Sequence, residues 1–283
     1  MTPRARIAAG LALALGLAGG AGCRPRSGPV RPDDGGGFPA LHVRWSLTTS
    51  DRTSEVKPQE FAGVAPYGEN LYAGSVGGRF FAMRAVDGHV RWSKRLGSVS
   101  SQPTVNGDGS VVFVGTDDGE LLSVDTETGK VNWKYLTRGA ILRPPVLVTI
   151  DNGADKPVDK LVVFSNEADQ VYALDAQTGE FRWQYKSDMP EEYTLRGHAG
   201  VTIAGDLVFT GFANGTLVAL RLKTGTPAWL TTIKGDSDRF FDVDATPVAL
   251  GDTVYVTSSS GGVWAIDQAT GLVRWRTPLN GNT

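Results

Sequence analysis

Hydrophobic and polar positions along the chain fall into short β-prone runs broken by turn residues. Residues 245–250, 253–259, 262–267 and 272–279 are four such runs in succession. Gly251-Asp252, Ser260-Gly261 and Ala269-Thr270-Gly271 separate them, residue types that favour chain reversal. Upstream, Val171, Tyr172 and Leu174 make a strand-prone run, and residues 175–179 supply a turn. Phe181 and Trp183 then alternate into the next run, so the pattern predicts a β-hairpin.

That hairpin recurs at residues 82–92, 123–133, 173–183, 219–229 and 265–275. Each copy has Ala or Ser ten positions before a tryptophan and a glycine four before it. The glycines are Gly88, Gly129, Gly179, Gly225 and Gly271. The tryptophans are Trp92, Trp133, Trp183, Trp229 and Trp275, at gaps of 41, 50, 46 and 46 residues. Trp45, 47 residues before Trp92, reads as the last strand of a further copy, over residues 42–47. A period near 46 residues with four strands in each is the signature of a propeller blade. The fold class expected is all-β, a β-propeller of four-stranded antiparallel blades, with five complete blades and one orphan N-terminal strand. One blade cannot bury both of its faces, so neighbours must stack, and the motif tryptophans are expected to wedge between them.

Composition adds limits. With 283 residues, 41% of them hydrophobic, the chain can bury a large core as one propeller domain spanning residues 41–283. Its 28 basic and 30 acidic side chains give a net charge of −2, which argues against a nucleic-acid partner. Cys23 is the one cysteine in this sequence, so neither an internal disulfide nor a cysteine-built metal site is available, and no metal is expected. His42, His89 and His198 are isolated, with no ligand spacing, and read as structural or solvent-facing.

Residues 1–22 read as a signal peptide. Arg4 and Arg6 precede an apolar run over residues 7–17, too short to span a bilayer, and small residues follow. Cleavage there would leave Cys23 first, and the segment resembles a bacterial lipoprotein signal, which implies lipid attachment at Cys23. Residues 23–40, rich in Pro, Gly and charge, read as a flexible linker. Arg24 and Pro25 are not the acidic pattern that resembles inner-membrane retention, so the expected location is the periplasmic face of the outer membrane. Residues 151–159 read as a solvated insertion in the third blade, and Asn214-Gly215-Thr216 as a turn.

The repeat resembles the quinoprotein-type motif A-x-D-x-x-T-G-x-x-x-W, which serves pyrroloquinoline-quinone dehydrogenases and the non-catalytic BamB family alike. Residues 193–197 (YTLRG) and 238–248 (DRFFDVDATPV) resemble BamB segments in the same order and blade positions. That resemblance implies that Leu195, Arg196, Asp242 and Asp244 contact a BamA-type β-barrel subunit. It further implies a scaffold that supports folding and insertion of outer-membrane proteins, with unfolded substrates as further partners, no cofactor and no catalytic residue. The resemblance also implies eight blades, about 370 residues at this period, and therefore an open arc from a truncated ring with the last blade's face exposed, the alternative being a five-blade ring with a superfluous strand.

Spacing bears on the same residues. Arg196 follows Trp183 by 13 positions and Asp242 follows Trp229 by 13, which places both on one loop class of adjacent blades. An arginine beside two aspartates could dock a partner through charge-assisted hydrogen bonds, with Leu195 as apolar anchor, or could tie the blades together internally. Two other readings remain: an envelope lipoprotein propeller that binds another protein or a polysaccharide, and a quinone-dependent dehydrogenase. The dehydrogenases resembling this repeat use a vicinal cysteine pair and a calcium site, and neither pattern occurs in this sequence.

Overall fold

The computed structural model describes residues 28–29, 42–49, 61–151, 158–187, 198–233, 243–258 and 262–278. The chain divides into two units, residues 1–47 and 48–283. In the first, β1 (Gly28–Pro29) pairs antiparallel with β2 (His42–Val43). This corrects two expectations. The strand foreseen over residues 42–47 is only two residues long, and it has a partner, drawn from the segment read as a linker. Pro29 has no amide hydrogen to donate to this ladder.

The second unit contains five four-stranded antiparallel sheets. Blade one is β3 (Val64–Tyr67), β4 (Asn70–Gly74), β5 (Arg79–Arg84) and β6 (Val90–Arg95). Blade two is β7 (Thr104–Val105), β8 (Val111–Gly115), β9 (Glu120–Asp125) and β10 (Val131–Leu136). Blade three is β11 (Val146–Ile150), β12 (Asp159–Asn166), β13 (Gln170–Asp175) and β14 (Phe181–Lys186). Blade four is β15 (Thr202–Ala204), β16 (Leu207–Gly211), β17 (Thr216–Arg221) and β18 (Pro227–Thr232). Blade five is β19 (Val248–Leu250), β20 (Thr253–Ser258), β21 (Gly262–Asp267) and β22 (Val273–Thr277). The first strands of successive blades approach one another, β3 to β7, β11 to β15 and β15 to β19, so they are the inner ones.

No core lies inside a blade; each lies between two. In β12, Leu161 and Val163 pack toward blade four, whereas Val162 and Phe164 pack toward blade two. The same split holds in β13, with Val171 and Ala173 on one side and Tyr172 and Leu174 on the other. Both faces of the middle strands are buried, so their sequences are nearly continuous apolar runs. The outer strands β10 and β18 instead alternate between half-buried and exposed positions.

The motif residues account for these interfaces one by one. Trp183 Nε1 donates to the Leu222 carbonyl of the next blade at 2.8 Å, and its ring lies on Gly225. Trp92, Trp133 and Trp229 donate likewise to the carbonyls of Thr126, Ala176 and Gln268. Their rings lie on Gly129, Gly179 and Gly271. A Cβ on Gly225 would stand 2.4 Å from Trp183 Cε3, and φ there is +68°, so the position excludes a side chain twice over. The small residue at the start of each motif is cross-strand partner to its tryptophan, as in Ala173 opposite Trp183, and leaves room for the indole. The aspartate builds the turn. Asp267 Oδ1 accepts from the amides of Ala269 and Thr270 and from the Thr270 hydroxyl. Arg274 first, and then Thr270, hold that carboxyl well below the usual carboxylate range.

Trp275 carries the same motif but is 47% exposed, against 5% for Trp183, and Leu272, Val248 and Leu250 of the same blade are exposed as well. Trp183→Ala is expected to lower unfolding free energy by about 3–5 kcal/mol, and Trp275→Ala by about 1 kcal/mol, in urea titrations of the two variants. Gly205 supplies a control for the glycine argument, because it has φ +61° with open space around its Cβ position. Gly205→Ala should cost about 1–2 kcal/mol, the conformational cost alone, and Gly225→Ala clearly more, since the indole must also move.

Candidate functional site

The outer strand of each blade leads to the inner strand of the next through a connection that begins just after the motif tryptophan's strand. Leu195 and Arg196 fall in the connection between β14 and β15, and Asp242 in that between β18 and β19. These three residues, like Cys23, lie outside the described residues. Asp244 is described, half-buried, four residues ahead of the start of β19. The turn expected at Asn214 and Gly215 is present, with the Thr216 amide donating to Asn214 Oδ1. Of the insertion expected over residues 151–159, Val158 is exposed and Asp159 already belongs to β12.

The described ends of the two connections meet at a residue that the sequence reading did not single out. Arg143, in the connection between β10 and β11, donates from Nε to the His198 carbonyl at 2.8 Å. Its Nη2 donates to the Asp244 carbonyl at 3.0 Å. One guanidinium therefore joins three successive outer-to-inner connections, across 55 and 101 residues of chain. Around it the packing is close. The Gly200 amide donates to Thr246 Oγ1 at 3.1 Å, and a Cβ on Gly200 would stand 2.6 Å from that same oxygen. The Thr202 hydroxyl donates to the Pro247 carbonyl, which repeats the bond from Thr104 to the Pro145 carbonyl at 2.6 Å two blades earlier.

A signal for Arg143 was present in the repeat. It stands three residues before an inner strand, where blades two, four and five carry Ser101, Ala199 and Ala245. A long cation at a position filled by small residues in those three blades, and by Phe61 in blade one, is visible once the repeats are aligned on their inner strands rather than on their tryptophans. The connection into blade two is held differently. There Asp117, in a turn of that blade, accepts from the Ser98 and Ser100 hydroxyls and the Ser100 amide.

His198 lies beside this junction and is buried. Neither ring nitrogen has a hydrogen-bond partner among the described residues. Burial first, and the Arg143 charge second, lower its pKa to about 4, so the folded protein holds the neutral imidazole. Between pH 6.5 and 4 the unfolded chain binds a proton that the folded chain excludes, so stability is complete above pH 6.5 and lost as pH falls. Stability measured by denaturant at pH 5 is expected to be about 2 kcal/mol below that at pH 7 from this group, and His198→Leu should remove that part of the difference.

Comparison with known proteins agrees with this architecture. The family model described as "Outer membrane protein assembly factor BamB" matches residues 42–194 and 107–283. The BamB of Burkholderia pseudomallei is 33% identical over 226 residues, covering 78% of this chain and 56% of that protein. The BamB of Escherichia coli K12 is 28% identical over 223 residues, covering 74% and 54%. The chain thus spans about half the length of the curated relatives it matches. Among solved structures, BamB from Moraxella catarrhalis superposes with a TM-score of 0.65 at 23% identity, over 82% of this chain and 68% of that one. A quinohemoprotein alcohol dehydrogenase from Pseudomonas putida HK5 gives 0.59 at 18% identity, over 81% and 43%, which shows that the blade architecture is common to both groups. With its tryptophan and glycine repeat seated between blades and the family match running from residue 42 to 283, the chain belongs to the BamB family of outer membrane protein assembly factors.

Proposed function

We propose that this chain is a non-catalytic scaffold of the outer-membrane β-barrel assembly machinery. Lipid attached at Cys23 would hold it at the periplasmic face of the outer membrane, since more than one acyl chain gives stable anchoring. The docking face is formed by the connections into blades four and five, and its partner is a BamA-type β-barrel subunit. Leu195 supplies an apolar anchor, and Arg196, Asp242 and Asp244 supply charge-assisted hydrogen bonds.

The observation that carries this reading is the junction at Arg143. It brings the backbone of His198, two residues after Arg196, and of Asp244, two residues after Asp242, onto one side chain. Two connections of the same class, from adjacent blades, thereby share one end of the sheets, which is what a joint docking patch requires. Unfolded outer-membrane proteins are further partners of the assembled machinery rather than of a dedicated pocket on this chain. The quinone-enzyme reading draws support from the shared propeller alone, and a shared fold does not carry an activity.

Gentle detergent extraction of the tagged full chain from cells should recover a large β-barrel protein in stoichiometric amount. Arg196→Ala and Asp244→Ala should each lower that recovery about tenfold or more, with melting temperatures within a few degrees of the unmodified chain. Recovery of the barrel protein at undiminished levels by both variants would exclude these residues as the docking contacts. Dye reduction on addition of pyrroloquinoline quinone and calcium would replace the scaffold reading with an enzymatic one.

A further inference from the structure

A docking face made from loops of separate blades has a difficulty that a single loop does not: its parts are fixed relative to one another only as well as the loops are. The interblade tryptophans do not solve it. Their indoles sit at the hairpin turns that join the third and fourth strands, whereas the outer-to-inner connections leave from the far ends of those strands. Among the described residues, the bonds that tie the start of blade four to the connection into blade five are those from the Gly200 amide to Thr246 and from the Thr202 hydroxyl to Pro247.

We propose that Arg143 is a positioning residue of the partner-binding face, setting the placement of the connections into blades four and five relative to each other. The inference rests on the docking reading given above. The geometry argues for it in three ways. First, Nε and Nη2 belong to one rigid planar group, so the two acceptor carbonyls cannot separate by more than about 8 Å while both bonds hold. Second, the held carbonyls are those of His198 and Asp244, and Asp244 is itself one of the candidate contact residues, so the clamp acts on the described ends of both connections. Third, the donors meet backbone carbonyls rather than carboxylates. The clamp therefore acts on chain position directly.

A purely structural role predicts something different. Blades two, four and five are seated with Ser101, Ala199 and Ala245 at the equivalent position, so a blade can form without an arginine there. What this arginine adds is reach, forward over two blades, and that reach ends on the two segments adjoining the candidate contact residues.

The test compares four variants of the full chain, Arg143→Ala, Arg143→Lys, Arg138→Ala and Arg196→Ala. Arg138 is exposed in the same connection as Arg143 and controls for loss of one positive charge. Affinity for the soluble periplasmic region of a BamA-type subunit is measured by calorimetry, and amide exchange is followed at residues 198–201 and 243–246. Arg143→Ala should raise the dissociation constant about tenfold or more and speed exchange in both stretches, with melting within a few degrees of the unmodified chain. Arg143→Lys, which can serve one carbonyl at a time, should fall between, and Arg138→Ala should match the unmodified chain.

Unchanged affinity in Arg143→Ala alongside weakened binding in Arg196→Ala would overturn the positioning role and leave the docking reading intact. Equal loss in Arg138→Ala and Arg143→Ala would overturn it in favour of a net-charge effect, as would full rescue by lysine. Unchanged exchange in both stretches would overturn it irrespective of any partner. If the unmodified chain does not bind the subunit at all, the docking reading fails, and the positioning role fails with it.

Discussion

Everything in the second unit depends on an indole laid flat on a glycine that has no side chain to keep it off. A four-stranded sheet with apolar residues on both faces is not stable by itself, because each face needs another sheet. The indole supplies area, the glycine supplies clearance, and the carbonyl beyond the turn takes the indole proton, so the contact is dry without leaving a donor unmet. Asp175, Thr178 and Gly179 make one turn that serves two purposes. It reverses the chain within blade three, and it presents a flat backbone to Trp133 of blade two.

The arrangement separates packing from recognition. Hairpin turns at one end of the strands are committed to the seam between blades, and their sequences are constrained accordingly. The connections at the other end carry no indole and no fixed glycine, so they can vary in length and chemistry while the blades beneath remain seated. Arg143 belongs to this second end. It adds a single long side chain spanning three connections to a seat that recurs among them, in which Val99, Ile141 and Val243 lie on Gly74, Gly115 and Gly211.

The fold was legible because the seam is written in rare residues at fixed offsets. Trp, Gly and a small residue ten positions before the Trp are each required by the same contact, and a 46-residue period repeated them five times. Boundaries were legible where a turn residue marks them: the strand expected over residues 262–267 is β21 as observed. They slipped where tertiary contacts end a strand early. The inner strand expected from residue 245 begins at Val248, since residues 244–247 are occupied by bonds from Arg143, Gly200 and Thr202. The two-residue pairing of Gly28–Pro29 with His42–Val43 was hidden by composition, because a Pro- and Gly-rich segment gives no periodicity to read. Arg143 was missed for another reason. Its partners are carbonyls 55 and 101 residues away, and a backbone acceptor leaves no mark in the sequence.

The four bonds from motif tryptophans to the next blade span 34, 43, 39 and 39 residues, so each seam is a neighbour-to-neighbour event in chain terms. Closing a loop of that length carries much the same entropic cost at every blade, and blades can be added one after another. The bond from Arg143 to Asp244 obeys a different rule. It encloses two complete sheets and the lead-in to a third, so it has nothing to close upon until all of them stand in order. Its presence is thus a proof-reading mark on the order of the blades: a chain with one sheet misregistered could keep most of its seams and still fail to form that bond.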